Sequence, residues 1–452
     1  MKKIAVPEQI SIIVDLLTGN GGRPMLIGGA VIDAIAGRAI KDWDIEVYGL
    51  SYAQLLELLS DAGYGCDLVG KKFGIVKTRA GDVDVDLNVP RKENRCGVGH
   101  KGFSVELLPD MSPEEAGRRR DLTINSMYLD LVTQELVDPF GGTADFQAGI
   151  IRATNPETFI EDPLRVLRIM QLLPRKGKVV DPQTMKLCQG MVSEFPTLAK
   201  ERVFEEWAKL LLKADRPSVG LEFLRETGWL AWFPELYFLI GCPQRPEWHP
   251  EGDVWNHTLL VLDNAAQLRD QLPDDWRLAF MFGALLHDVG KPYTTTQELT
   301  SPGHDTAGVP VADGFMRRIT DNKELIRRTL LIVEKHMQPG QLHRDGAKPA
   351  AWRRLHNKIR LDVIGLMSRA DSNGRSGLDL LGEHGPSGMA LAFFEEFGAE
   401  PICPVLGGKH LIAAGYKAGP AFKVMLDRAY QYQIEHNCED LDVLIGVATE
   451  VK

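Results

Sequence analysis

Two stretches of alternating acids constrain this chain more than any other feature. In residues 42–47, DWDIEV, the side chains of Asp42, Asp44 and Glu46 point one way along an extended strand, while Trp43, Ile45 and Val47 point the other way into a core. Further along, GDVDVDLN repeats the pattern, with Asp82, Asp84 and Asp86 on one face and Val83, Val85 and Leu87 on the other. If the two strands pair, a third carboxylate comes beside Asp42 and Asp44. Hard oxygens clustered in this way suit Mg²⁺. A lone D-x-D is more often a solvated acidic edge, so the second strand gives the first its meaning.

Just upstream, Met25-Leu26-Ile27 reads as a short buried strand that stops at Gly28-Gly29. Two glycines let the backbone turn tightly and approach a ligand, and the free N–H groups of a following helix would face a phosphate. Three carboxylates around two metal ions are what nucleotidyl transfer needs: one ion helps ionise an attacking 3′-hydroxyl, and the other neutralises the triphosphate and the leaving pyrophosphate.

At 452 residues and 44% hydrophobic content the chain suggests about three domains with ample packed cores. Its net charge of −10 argues against a broadly basic surface, so any nucleic-acid contact must use local patches. Six scattered cysteines with no C-x-x-C indicate neither a disulfide scaffold nor a thiolate zinc site, and read as reduced thiols in a cytoplasmic protein. The first twenty residues read as an amphipathic helix rather than a signal peptide, and no apolar run is long enough to span a membrane.

After the second acidic strand, residues 92–100 are glycine-rich and charged, which predicts a mobile loop. Arg118-Arg119-Arg120-Asp121 then precedes an apolar helical pattern containing Asn125, and a cationic run beside one acid suits a triphosphate and a ribose hydroxyl. From about 151 to 236 the pattern is helical throughout. Asp162-Pro163 predicts a helix start with Asp162 as N-cap. Asp162 and Arg165 are three apart, and a carboxylate with a guanidinium can match the Watson–Crick edge of C or A, although an ordinary ion pair has the same spacing.

Residues 245–375 carry a separate constellation. His257 lies in one helical pattern, His287-Asp288 end another, and His304, His336 and Asp371 follow. These nitrogen and oxygen donors can enclose a divalent metal. The basic runs Arg175-Lys176-Lys178 and Arg353-Arg354-Lys358-Arg360 could track RNA phosphates, or could be solvated helix faces.

Taken in order, GGAVID, KDWD, RRDLTIN, DPFGG and EDPLRVLR resemble the motifs of bacterial tRNA nucleotidyltransferases, the CCA-adding enzymes, and the related poly(A) polymerases. The likeness covers nearly the whole chain. It implies an α+β fold: a polymerase-β-like nucleotidyltransferase head with a small mixed sheet (1–150), then an all-α neck for base selection and RNA binding (151–240), an HD-type metal-binding body (241–378) and a helical tail (379–452). By the same resemblance, Gly28 and Gly29 would hold the triphosphate, Asp42 and Asp44 the Mg²⁺ ions, and Asp86, with Asp84 as alternative, the third catalytic acid. Arg119, Arg120, Asp121 and Asn125 match the motif that contacts ribose and phosphates. Asp162 and Arg165 match the pair that selects C and A without a nucleic-acid template.

Two positions depart from the pattern. Ile32 and Gln171 stand where the family usually has arginine, and Arg168 would serve in place of the second. The second constellation resembles the HD phosphohydrolase superfamily, with Gly290-Lys291-Pro292 in the expected place and His304 and His336 completing the set of two-metal members. That implies a transition-metal centre holding Ni, Mn, Co or Fe and able to hydrolyse phosphomonoesters or 2′,3′-cyclic phosphates.

The sequence therefore favours addition of CCA to the tRNA acceptor end from CTP and ATP. The alternatives in the same class are a CC-adding or A-adding enzyme or a poly(A) polymerase, and the substantial segment 92–117 favours a full CCA or A-adding activity. In another class stand an HD nucleotide phosphohydrolase whose head only binds RNA, and a non-catalytic RNA-binding protein.

Overall fold

A computed structural model describes residues 4–67, 74–95, 103–375 and 385–450. The chain forms two compact units, Met1–Leu210 with Val219–Trp232, and Leu211–Ser218 with Phe233–Lys452.

The first unit is built on a six-stranded sheet. Its strands are β1 (Arg23–Ile27), β2 (Trp43–Tyr48), β3 (Ile75–Ala80) and β4 (Val83–Asn88), then, after the hairpin β5 (Arg91–Arg95) and β6 (Phe103–Leu107), β7 (Tyr128–Asp130) and β8 (Leu136–Val137). The order is β3-β4-β2-β1-β7-β8. Only β2 and β4 run parallel; the other neighbours are antiparallel, so the sheet is mixed. A parallel neighbour needs a crossover, supplied here by the helix Tyr52–Asp61 and by β3. Trp43, Ile45, Val47, Val85 and Leu87 are all buried, as their alternation requires. The helix Glu8–Gly19 buries Ile10, Ile13, Val14 and Leu17, one stripe at helical spacing.

Two expectations are corrected here. Residues 92–95 are not loop: they belong to β5, which pairs antiparallel with β6 from Arg91↔Leu107 to Arg95↔Phe103. The rest of the predicted loop, 96–100, lies outside the described residues. Nor is 151–236 helical throughout, because Ile150–Ile151 pairs parallel with Val179–Val180 as β9 and β10. The helix Leu164–Lys176 ends at Gly177, and the chain passes into a two-residue strand whose Val180 is buried.

The second unit is helical among its described residues. The helix Asp274–Leu286 buries nearly every residue from Ala279 onward, which marks it as central. Against it pack the helices Val254–Leu268, Lys323–Lys335 and Leu361–Asn373, and His304–Ile319 packs on Lys323–Lys335. The last helices, Gly408–Ala413, Ala421–His436 and Leu441–Thr449, share a small core of Leu406, Leu411, Ala429, Leu444 and Ala448. No described helix is long and apolar enough to cross a membrane.

Candidate functional site

Register decides which acids meet. In the β2–β4 pair Asp44 stands directly opposite Asp86. Burial, and next the charge of Asp86, push the Asp44 carboxyl up to about 6. Asp42 is exposed just before β2 and adds to the same effect. On the far side of β4, Lys77 lies opposite Asp86 and its Nζ is 3.0 Å from Asp86 Oδ2. Asp84 shares the Asp86 face of β4 two residues earlier along the strand. It lies opposite Arg79, pairs with it at 3.0 Å and is 80% exposed. The charge on Asp44 is therefore poorly compensated, which suits a group that binds a divalent cation.

Glu46 does not share the open face expected for it. Its side chain is fully buried, with Arg119 Nη2 donating to Oε1 at 3.0 Å, Arg120 Nη2 to Oε2 at 3.2 Å, and the Tyr48 hydroxyl to Oε2 at 2.9 Å. The two arginines hold its carboxyl below its ordinary value against the opposing effect of burial. Arg120 also lies over the Tyr128 ring, 5.3 Å from its centroid.

Gly28 caps the helix Gly29–Ile35 with φ of 64°, a conformation that favours glycine. A Cβ built on Gly28 or Gly29 would meet nothing within 4 Å, so the backbone is open on that side. Ile32 is buried in the core, while its neighbour Asp33 accepts from Arg38 at 2.7 Å and Lys176 at 3.2 Å. Gln171, the other departure, is buried and accepts from Arg175 at 2.6 Å.

Asp121 is buried and accepts from Arg168 Nε at 2.6 Å, Asn125 Nδ2 at 3.0 Å and the Leu122 N–H at 2.8 Å. Burial alone would raise its carboxyl, but the Arg168 charge and these hydrogen bonds bring it down to about 2. The helix expected to start at Asp162 begins one residue later as Leu164–Lys176 with Pro163 at the N-cap; Asp162 Oδ1 still accepts from the Leu164 N–H at 3.1 Å. Asp162 Oδ2 pairs with Arg202 at 2.9 Å rather than with Arg165. Arg165 donates instead to the Thr158 and Arg119 carbonyls, both at 2.6 Å. The basic runs are largely engaged within the protein: Lys176 with Asp33, buried Arg353 with the Ile434 carbonyl, and Arg360 with Asp362.

In the second unit, five helices bring a ligand-type side chain to one point, from within the helix or at its end. Around buried Asp288 lie His287 Nε2 at 3.2 Å, His304 Nε2 at 3.2 Å, His257 Nε2 at 3.8 Å and His336 Nε2 at 3.9 Å. Asp371 Oδ1 is 3.0 Å from His257 Nε2. Each histidine has its Nδ1 engaged elsewhere: His287, His304 and His336 at the carbonyls of Ala284, Ser301 and Val333, and His257 at Glu251. That fixes every Nε2 inward. His287 Nε2 is buried and makes no hydrogen bond of good geometry. Two donor groups, His257–His287–Asp371 and Asp288–His304–His336, each hold their ligand atoms within 4.8 Å, so the residues fit a divalent metal centre. Lys291 Nζ, 2.7 Å from Asp288 Oδ2, is itself held by Gln244 Oε1 at 2.7 Å.

Sequence reasoning missed Glu46 as a clamp, Lys77 beside Asp86, and Glu251 with His249 beside His257. Lys77 had a readable signal, since Lys77 and Arg79 alternate opposite Asp86 and Asp84 across the Gly81 turn. Glu251 had none, because it precedes its helix in an irregular segment.

Residues 25–152 match the model of the poly A polymerase head domain, 179–239 that of the probable RNA and SrmB-binding site of polymerase A, and 254–372 that of the HD domain. The chain is 35% identical over 416 residues to a multifunctional CCA protein of Vibrio campbellii, covering 88% of this chain and 95% of that one. It is 38% identical over 319 residues to the multifunctional CCA protein of Halorhodospira halophila, covering 69% and 72%. In fold it is similar to the Bacillus stearothermophilus CCA-adding enzyme in complex with CTP, with a TM-score of 0.66, 20% identity and 98% of each chain covered. The Thermotoga maritima CCA-adding enzyme complexed with tRNA is similar too, with a TM-score of 0.59, 16% identity, and 98% and 95% covered.

Proposed function

The chain belongs to the multifunctional CCA protein family, and from that membership we propose that it adds C, C and A to the tRNA 3′ end from CTP and ATP, releasing pyrophosphate without a nucleic-acid template. The observation that carries the reading is the opposition of Asp44 and Asp86, two acids kept beside each other by strand register. Asp42, Asp44 and Asp86 would hold Mg²⁺, which when bound neutralises triphosphate oxygens and lowers the pKa of the attacking 3′-hydroxyl.

In this reading the open backbone at Gly28 and Gly29 takes the triphosphate, and Arg119 and Arg120 present guanidinium groups held in place by Glu46. Asp121 and Asn125 orient the ribose side through Arg168. Asp162 and Arg165 read the base edge after exchanging their present partners for it. We assign residues 1–150 to the catalytic head, 151–240 to the neck, 241–378 to the HD body and 379–452 to the tail. Cytoplasmic location is our reading, supported by a tRNA substrate and by the free cysteines among the described residues.

A second reading is favoured by the five-helix cluster around Asp288. The HD body would hold a transition metal such as Ni, Mn, Co or Fe through His257, His287, Asp288, His304, His336 and Asp371, supplying a nucleophile against a phosphomonoester or a 2′,3′-cyclic phosphate. Lys291 would then counter negative charge beside Asp288. The decisive experiment offers tRNA ending at the discriminator base with CTP and ATP singly and together, and sequences the products. Failure to extend by C, C and A would refute the principal reading.

A further inference from the structure

The four histidines of the HD cluster are not held alike. His287 and His336 are the C-caps of their helices, where carbonyls of the last turn are free, and each gives its Nδ1 to the carbonyl three residues back. His304 opens its helix and does the same with the Ser301 carbonyl in the preceding loop. His257 lies inside the helix Val254–Leu268, where the carbonyls of the preceding turn are taken up by the helix itself. It has no backbone acceptor to use.

Its Nδ1 meets Glu251 Oε1 at 2.8 Å instead. Glu251 is 2% exposed at its side chain, and the same oxygen receives His249 Nδ1 at 2.8 Å. The His249 ring stands edge-on to His257 with centroids 4.9 Å apart, closing the outer side of the pair. Both histidines thus turn their Nδ1 onto one buried carboxylate oxygen, an acceptor to which an imidazole N–H donates.

We propose that Glu251 is a positioning residue for the HD metal centre: it fixes His257 in the tautomer that presents a Nε2 lone pair beside Asp288 and Asp371, and His249 holds Glu251 in place. A carboxylate behind a metal-bound imidazole orients the ring and raises its basicity, where a carbonyl only orients it. His257 is thus the one histidine of the four whose ligand strength is set by a charge. The assignment rests on the reading of this cluster as a metal centre.

The test is calorimetric titration of metal-stripped full-length protein with Mn²⁺, together with long-range ¹H–¹⁵N spectra that report each histidine tautomer. Glu251→Ala should weaken Mn²⁺ binding 10–100-fold, and should abolish the fixed Nδ1–H signal of His257 while leaving those of His287 and His336. Glu251→Gln, which keeps an acceptor without the charge, should keep the tautomer and lose less affinity. Nucleotide addition by the head serves as the check that each variant is folded. Mn²⁺ binding by Glu251→Ala within about threefold of the parent, with the His257 tautomer unchanged, overturns the assignment alone. A parent protein that takes up no Mn²⁺ overturns the metal centre and the assignment with it.

Discussion

Asp44 and Asp86 face each other in register across a parallel strand pair, and Lys77 Nζ sits 3.0 Å from Asp86 Oδ2. The asymmetry leaves Asp44 with like charge beside it and burial around it, its carboxyl pushed up to about 6. Such an arrangement is costly without a cation, which is why it marks chemistry rather than stability.

Replacing Asp44 or Asp86 by Ala should reduce nucleotide addition by at least about 10³-fold, because several kcal/mol of charge stabilisation are lost. Asp84→Ala should change it less than about threefold, since an exposed pair such as Asp84–Arg79 contributes little. Single-turnover extension of a tRNA lacking its terminus measures both. Equal losses at Asp84 and Asp86 would refute the register argument.

Glu46→Gln should destabilise the first unit by about 3–5 kcal/mol, lowering its unfolding midpoint by roughly 6–12 °C, because two buried guanidinium groups lose their shared carboxylate. Scanning calorimetry reads this directly. A shift under about 2 °C would show that Arg119 and Arg120 find other acceptors at little cost.

The Asp121–Arg168 pair gives the first unit a pH-dependent term. Because the folded carboxyl is brought down to about 2, below its unfolded value, the stabilisation is complete above about pH 4 and is lost as pH falls toward 2. The amount is roughly 2 kcal/mol for a group this buried. Urea titrations of the parent and of Asp121→Asn should therefore show a stability gap at pH 6 that narrows by about that amount near pH 2; a gap constant with pH would contradict the pairing.

Arg165→Ala should lower discrimination between CTP and ATP by about 10–100-fold, the worth of one good base-edge contact, while changing the affinity for triphosphate much less. Misincorporation assays with each nucleotide alone decide it. Unchanged selectivity would leave Arg165 as a tie between the Thr158 and Arg119 carbonyls.

Asp288→Asn should abolish hydrolysis of 2′,3′-cyclic AMP by Ni²⁺- or Mn²⁺-loaded protein, and leave CCA addition within about twofold, since charge on one metal-bound oxygen is lost only in the HD body. Parent protein that hydrolyses nothing with Ni²⁺, Mn²⁺ or Co²⁺ would remove the phosphohydrolase reading.

Much of this protein is set out in local sequence. Strand alternation buried Trp43, Ile45 and Val85 and left the acids on the other face, because a period of two needs no tertiary information. The His-Asp pair follows directly on an apolar helix, so its burial too was legible from neighbouring residues. What the pattern could not supply was the choice between Asp84 and Asp86, which share a face and differ by a two-residue step of register fixed only when β2, β3 and β4 assemble. Nor could it supply the closure of Arg119 and Arg120 over Glu46, the engagement of Arg165 by two carbonyls, or the reach of Glu251 to His257. Each joins residues that are separated in sequence or lie in irregular backbone, where spacing carries no direction. Periodicity determines which face a side chain takes; only packing decides what it meets there.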